Sequence, residues 1–328
     1  MVKISLLIAV YNSEAYLRTC LDSLLAQTYG EFQAICVDDG STDGSPEVLN
    51  EYARLDPRFT VISLPANMGQ AVARNEGLKH AQGAYTAMLD SDDWLAPDAL
   101  ETAMKVIEEN NQTDAVLFDL HYAYPDGHYE PYPHRFDQAF TGEEAFRLSL
   151  DWKLHGVYLI RTSIHKRFPY DTSARLYSDD NTTRLHYLAC HEVRTSRAAY
   201  YYRQHEQSAT HQVSMRRFDR MLADESMKQA LEGMNIRDED LNRFETYRWL
   251  VVVDSYGFYL NNRKTLGQQG SREALLLIRK YWQTIEVERL PYSTRLKPGF
   301  IPFRCSWTMF RLEEWAYFTM KRLLRRSS

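Results

Sequence analysis

The chain has 328 residues, 44% of them hydrophobic and 25% charged, with a formal net charge of −5. These values fit a soluble globular protein large enough for more than one structural unit, and they exclude a chain drawn to nucleic acid by a global basic field. Four cysteines, Cys20, Cys36, Cys190 and Cys305, lie far apart among apolar neighbours without a Cys-x-x-Cys, which favours buried reduced thiols over disulfides or a zinc site.

The first 120 residues predict a series of βα units. Apolar, β-rich runs occur at Ile4–Val10, Phe32–Val37, Phe59–Leu64, Tyr85–Leu89 and Ala115–Leu120. Helical stripes lie between most of them. Leu17, Cys20, Leu21, Leu24 and Leu25 form the first, with Ser13 as N-cap and Glu14 in the first turn. Val48, Leu49 and Tyr52 form the second, opened by Ser45-Pro46. Leu100, Ala103, Met104 and Ile107 form the third, opened after Ala96-Pro97. Strands and helices alternating through short links predict a mostly parallel sheet covered by helices.

Beyond residue 120 the texture changes. Pro125-Asp126-Gly127 reads as the turn of a hairpin, and a helix is expected over Gly142–Leu150. After Gln212 the pattern is helical, with a stripe at Leu275, Ile278, Tyr281 and Trp282. In the tail, Leu312, Trp315, Ala316, Thr319, Met320 and Leu323 share one helical face, and Lys321, Arg322, Arg325 and Arg326 crowd its end. Such a helix suits the surface of an anionic membrane; the alternative is that its apolar stripe covers the rest of the protein. The organisation expected is a βα domain over 1–120, a continuation of the same domain over 121–211 and a helical region over 212–328. No leader-like segment or run of about 18 apolar residues occurs, so the location expected is the cytoplasm, with peripheral contact at the inner face of the cell membrane.

Ligand sites of parallel sheets lie beyond the carboxyl ends of the strands. The polar residues fall there: Tyr11-Asn12 after the first strand, Asp38-Asp39-Gly40-Ser41 after the second, and Asp90-Ser91-Asp92-Asp93 after the fourth. Three carboxylates within four residues repel one another and suit a hard divalent cation with oxygen ligands. The spacing Asp90-x-Asp92 puts both side chains on one side of an extended chain. A solvated turn leading into the next helix is the alternative, as an Asx-turn before Gly40 is for Asp38-Asp39.

Five stretches in order carry a resemblance: "SLLIAVYNSEAYLRTCLDSLLAQTY", "VDDGSTDGS", "NMGQAVARNEGLKHAQGAYTAMLDSDDWL", "YSDDNTTRLHYL" and "YYYRQHEQSAT". Together they resemble the inverting family 2 glycosyltransferases of the GT-A fold, closely over residues 1–110 and more loosely through about residue 211. The resemblance implies a nucleotide-binding, mostly parallel sheet flanked by helices, and an enzyme that moves a sugar from a nucleotide-sugar, a UDP-sugar above all, to a hydroxyl of a glycan or lipid-linked acceptor in bacterial surface polysaccharide synthesis. It also implies Mn²⁺ or Mg²⁺ as cofactor.

The roles it implies are these. Tyr11 stacks on the nucleotide base and Ala9, where the family usually has proline, lines the pocket. Glu14 sits where the family often has an acid near the nucleotide. Asp39 binds uracil, with Asp38 supporting the loop. Gly69, Gln70, Arg74 and Asn75 lie beside the sugar nucleotide. Asp92 ligates the metal, Asp90 holds ribose, and Asp93 shares either task. Asp180, the second acid of Asp179-Asp180, is the base that deprotonates the acceptor hydroxyl; a helix cap at Ser178 or Asp179 is the structural alternative. Arg203 and His205 hold the diphosphate, and His205 can also ligate the metal. His155 either touches the acceptor or packs. A catalytically inactive nucleotide-sugar-binding protein is one rival reading. A sugar-phosphate nucleotidyltransferase is another, opposed by the absence of glycine and lysine from "AVYNSEAYL".

Overall fold

The computed structural model describes residues 2–174, 177–205, 213–234, 236–295 and 306–326. The chain divides into two compact units, Met1–Ser208 and Ala209–Ser328, so the segments expected at 1–120 and 121–211 share one unit.

The first unit is built on one sheet. Its strands in chain order are β1 (Ile4–Val10), β2 (Phe32–Asp38), β3 (Phe59–Ser63), β4 (Tyr85–Met88), β5 (Trp94–Leu95), β6 (Thr113–Ala123), β7 (Tyr129–Pro131), β8 (Ala139–Thr141), β9 (Tyr158–Arg161) and β10 (Glu192–Arg203). The spatial order is β3-β2-β1-β4-β9-β6-β10-β5, with β7 on β6 and β8 on β10. β1, β2, β3 and β4 pair in parallel, as do β6 and β10, while β9 runs antiparallel between β4 and β6. The short strands β5, β7 and β8 also pair antiparallel, and the interior of the expected parallel sheet is interrupted by the reversed β9. The parallel strands on either side of it still end at one edge, where the polar loops collect.

β1 is buried along almost its whole length, which explains its unbroken apolar run: a central parallel strand is covered on both faces. The covering helices are α1 (Glu14–Leu25), α2 (Ser45–Leu55), α3 (Gln70–Lys79), α4 (Ala99–Glu109), α5 (Gly142–Leu150), α6 (Thr162–Arg167) and α7 (Ser178–Ala189). Leu17, Cys20, Leu21 and Leu24 of α1 are buried, as the stripe predicts. Two caps differ from expectation. The Ser13 hydroxyl makes no cap hydrogen bond; it meets Ser91 Oγ at 2.7 Å instead. Gly44, not Ser45, caps α2, because the Ser45 hydroxyl accepts from Ser13 N–H at 2.9 Å. The helix expected at Gly142–Leu150 forms with a complete capping box between Thr141 and Glu144. The hairpin also forms, with Tyr124 N–H on His128 O and Gly127 N–H on Tyr124 O. Cys20, Cys36 and Cys190 are buried and unpaired; Cys305 lies outside the described residues.

The second unit contains α8 (Asp219–Glu232), α9 (Asp238–Gln283), which breaks at Gly267 with φ 70°, and α10 (Trp307–Arg326). Arg248 is fully buried and reaches Glu225 at 2.7 Å, Glu245 at 2.9 Å and the Thr284 hydroxyl at 2.6 Å. Phe310 and Glu314 of α10 are turned inward, and burial pushes the Glu314 carboxyl up to about 7. Leu312, Trp315, Met320 and Leu323 remain 50–63% exposed, so the predicted stripe does face outward. Among the described residues no helix is long and apolar enough to cross a membrane.

Candidate active site

The loops after β1 and β2 are tied to each other before any ligand is considered. Asn12 adopts positive φ (50°); its N–H donates to Ser41 Oγ at 3.1 Å and its Oδ1 accepts from Thr42 N–H at 2.8 Å. Glu14, expected near the nucleotide, accepts from Gly44 N–H at 2.9 Å, and its own N–H donates to Asp43 at 3.0 Å. Asp38 accepts from Ser41 N–H at 3.0 Å, the supporting role expected of it. Asp39 is 2% exposed. Its two oxygens accept from Met68 N–H at 2.7 Å and Gly69 N–H at 2.8 Å, so it brings the segment before α3 to the crevice. Tyr11 stands 46% exposed above this lattice, and Ala9 is half-buried below it.

Two glycines are required here. Gly40 has φ +72°, and a Cβ on it would lie 2.7 Å from the Ala66 carbonyl carbon. Gly69, the cap of α3, has φ +97° with open space where a Cβ would point. Both conformations are ones that L side chains rarely adopt. Gln70 follows as the first residue of α3.

The acidic segment after β4 is a turn, not an extended chain: Asp93 N–H donates to Asp90 O at 3.0 Å. The three carboxylates consequently meet different partners. Asp90 pairs with Arg74, itself 1% exposed. Burial acts to lower the Arg74 pKa, but Asp90, Tyr170 and Asp179 outweigh it and hold the guanidinium above its ordinary value. Arg74 Nε and Nη1 are buried without a hydrogen-bond partner among the described residues. Asp92 is turned to the opposite side, its Oδ2 2.9 Å from His205 Nε2.

Asp93 departs from the expectation of a metal or ribose ligand. It is fully buried, accepting from Tyr200 OH at 2.7 Å and Arg203 N–H at 2.8 Å. Burial, with Asp90 and Asp92 alongside, pushes its carboxyl well above the usual range. With both oxygens used inside the protein, Asp93 fixes the turn to β10.

β10 supplies the cationic side. Arg203 Nε donates to Asp92 O at 2.7 Å, and its guanidinium lies 4.6 Å from the Trp94 ring and 5.0 Å from the Tyr16 ring. Tyr16 in turn lies 4.9 Å from the His205 ring. Arg203 Nη2 and His205 Nδ1 are buried without a hydrogen-bond partner among the described residues. Tyr16 and Trp94 are absent from the sequence expectations. The signal that could have found them is an aromatic in the first turn after Tyr11-Asn12 and another directly after the acidic turn.

Asp180 lies half-buried in the first turn of α7, after Tyr177 in the left-handed conformation. A series of hydrogen bonds leads there from α3. The Asn75 side chain bonds both Tyr170 N–H and Tyr170 O at 2.8 Å, and Asp171 accepts from Asn181 Nδ2 at 3.1 Å. His155 is packed: it is 8% exposed, lies edge-on to Tyr132 at 5.0 Å, and burial lowers its pKa to about 4.

Asp92 and His205 are the residues that could hold a divalent cation: a carboxylate and an imidazole, here joined to each other by a 2.9 Å hydrogen bond. A carboxylate with an imidazole suits Mn²⁺ at least as well as Mg²⁺. No group of three or more such ligands occurs among the described residues.

Comparisons with known proteins give the family and the fold. Residues 5–168 match the family model described as Glycosyl transferase family 2. The chain is 32% identical over 291 residues, 83% of its length, to EpsH of Bacillus subtilis (strain 168), which bears a glycosyltransferase name, and covers 80% of it. It is 42% identical over 121 residues, 36% of its length, to the poly(ribitol-phosphate) beta-glucosyltransferase of Bacillus spizizenii (strain ATCC 23059 / NRRL B-14472 / W23), but covers only 19% of that protein. Among solved structures, S. aureus TarS 1–349 in complex with UDP-GlcNAc superposes with a TM-score of 0.77 at 22% identity, over 96% of this chain and 91% of that one. The mannosyltransferase PcManGT of Pyrobaculum calidifontis, in complex with GDP-Man and Mn²⁺, gives 0.53 at 17% identity, over 97% of this chain and 87% of that one. Both structural matches establish the shared fold.

Proposed function

The chain belongs to glycosyl transferase family 2, and from that premise we propose that it transfers a sugar, with inversion, from a UDP-sugar to a hydroxyl of a bacterial surface glycan or its lipid-linked precursor. The observation that carries this reading is the convergence of the Asp92–His205 pair with Arg203, whose Nη2 is buried without a hydrogen-bond partner among the described residues. Buried donors without partners are costly, and a diphosphate oxygen is the acceptor such a guanidinium fits. The UDP-GlcNAc complex of TarS and the surface-polymer substrate in the name of the B. spizizenii relative support the donor and acceptor classes.

In this reading Tyr11 stacks on the base at the mouth of the β1–β2 lattice. Asp39, its two oxygens taken by Met68 and Gly69 N–H, serves the nucleoside end by holding that segment, and Gly69 and Gln70 lie beside the donor. Asp90, fixed by Arg74, accepts from ribose. Asp92 and His205 would hold Mn²⁺ or Mg²⁺, which would supply positive charge against the leaving diphosphate. Asp180 takes the proton of the acceptor hydroxyl as its oxygen bonds to the anomeric carbon, and the bond to the phosphate oxygen breaks with its electron pair leaving on UDP. The outward apolar stripe of α10, beside Lys321 and Arg322, rests on anionic lipid where a lipid-linked acceptor resides.

Calorimetry with UDP-, GDP- and dTDP-sugars, each with and without Mn²⁺, tests the donor. A UDP-sugar that binds more tightly with Mn²⁺ is expected; preference for another nucleotide, or indifference to the cation, rejects the reading. For the membrane contact, co-sedimentation with anionic vesicles at low salt should be lost in Leu312→Glu/Trp315→Glu. Equal sedimentation of the variant and the parent chain rejects that contact.

A further inference from the structure

Outward from Arg203, the rings do not stop at Trp94. Trp94 on β5 stacks on Tyr201 on β10, with centroids 5.3 Å apart and planes 18° apart. Tyr201 is followed by Tyr129 on β7 at 5.2 Å and by His121 on β6 at 5.8 Å. The register explains the alignment: Tyr201 is the cross-strand partner of both Trp94 and His121. A row of rings therefore begins beside Arg203 and runs across the β5–β10–β6 end of the sheet. Its far end is open. Tyr129 is 53% exposed, and all three residues of β7 face solvent.

Polar groups line the same end. Asp119 accepts from Arg135 Nε at 3.0 Å and lies 3.2 Å from His121 Nε2, and Arg135 is 42% exposed. Flat rings beside a carboxylate, an imidazole and a guanidinium make a surface for a molecule with apolar faces and a hydroxyl rim. A pyranose has both: its axial C–H bonds meet the exposed Tyr129 ring, and its hydroxyls reach the polar planar groups. An aliphatic chain would leave those polar groups unmatched. Cross-strand stacking alone stabilises a sheet, but it does not call for an exposed terminal ring or for continuity with the site.

Resting on the transferase reading above, we infer that the row from Trp94 through Tyr201 to Tyr129 is the acceptor track: a glycan chain stacks on the exposed Tyr129 ring and crosses the edges of Tyr201 and Trp94, whose faces are turned to each other, while its reactive end reaches the crevice. The chemical class recognised is an oligosaccharide several residues long, and affinity rises with length as further rings are covered.

The test uses the full chain on an array of bacterial surface polysaccharides and their oligosaccharides of increasing length, with Tyr129→Ser, Tyr201→Ser and, as a control, Tyr292→Ser. Tyr292 is 79% exposed in the other unit. Each track variant is expected to weaken glycan binding about tenfold, most for the longest ligands, while the control and Mn²⁺-dependent UDP binding stay within about twofold. Glycan binding unchanged in Tyr129→Ser and Tyr201→Ser overturns the inference, as does a parent chain that binds no glycan while still binding UDP. If Tyr201→Ser lowers the melting temperature, Tyr129→Ser, on a fully exposed strand, carries the result. Loss of UDP binding by the parent chain would instead reject the donor reading, so the two failures are distinguishable.

Discussion

The two sides of the crevice are built on opposite principles. On the β1–β2 side nearly every polar group is already used: Asn12, Glu14, Asp38 and Asp39 each serve backbone N–H groups of neighbouring loops. On the β4–β10 side, Arg74, Arg203 and His205 each keep a buried nitrogen without a partner among the described residues. A satisfied lattice holds a shape at low cost, whereas unpaired buried donors are tolerated where a ligand completes them. The first side acts as the mould and the second as the chemistry.

The largest departure from this division is expected at Asp180, which belongs to neither side. Asp180→Asn should leave Mn²⁺-dependent UDP binding intact while lowering transfer by on the order of 10²–10⁴. Single-turnover transfer assays measure it, and full activity in a folded variant would remove Asp180 as the base. Next, Asp92→Ala should weaken UDP binding by at least roughly ten- to a hundredfold with Mn²⁺ present, yet leave uridine binding unchanged. An equal loss for both ligands would assign Asp92 to the mould.

Within the mould, Gly40→Ala should cost more than Gly69→Ala. Both residues have positive φ, but only Gly40 faces backbone at 2.7 Å. The expected costs are about 2–3 kcal/mol and about 1 kcal/mol respectively. Denaturant melts give the order, and a reversed order would contradict the packing beside Ala66.

The smallest change is expected for Asp93→Asn. The amide can still accept from Arg203 N–H and can donate to the Tyr200 oxygen, so UDP binding with Mn²⁺ should stay within about threefold. The folded-state pKa of Asp93 is raised. The stability it contributes is therefore complete below the unfolded carboxylate value, near about 3.9, and is lost as pH rises through the folded value. A carboxamide does not titrate in this range, so stability curves from about pH 4 to pH 8 should be flatter in the variant. A strong loss of cation-dependent binding would return Asp93 to the ligands.

Much of this was readable in the chain because it is local. β1 and α5 begin and end at the residues their patterns predict, since burial on both faces and a capping box are written in consecutive residues. The positions of Asp90 and Asp92 beyond β4 were readable for the same reason. The fate of Asp93 was not. Three adjacent carboxylates look alike in sequence, and what turns one inward is Tyr200, more than a hundred residues later. The reversed β9 was hidden similarly, because direction within a sheet depends on pairing partners and not on composition. Tyr16 has no place in the sequence expectations, because its neighbours Arg203 and His205 are brought to it only by the fold.

Adjacent residues on α3 look in different directions. Arg74 grips Asp90 in the acidic turn, and Asn75 grips the Tyr170 backbone, from which Asp171 and Asn181 lead to the start of α7 beside Asp180. One helix thus holds the acidic turn through one side chain and, through the next, the segment that leads to the start of α7. Misplacement of reacting groups by about 1 Å can cost on the order of 10²-fold in rate, and here the spacing between the acidic turn and α7 hangs on two neighbouring side chains of one helical turn.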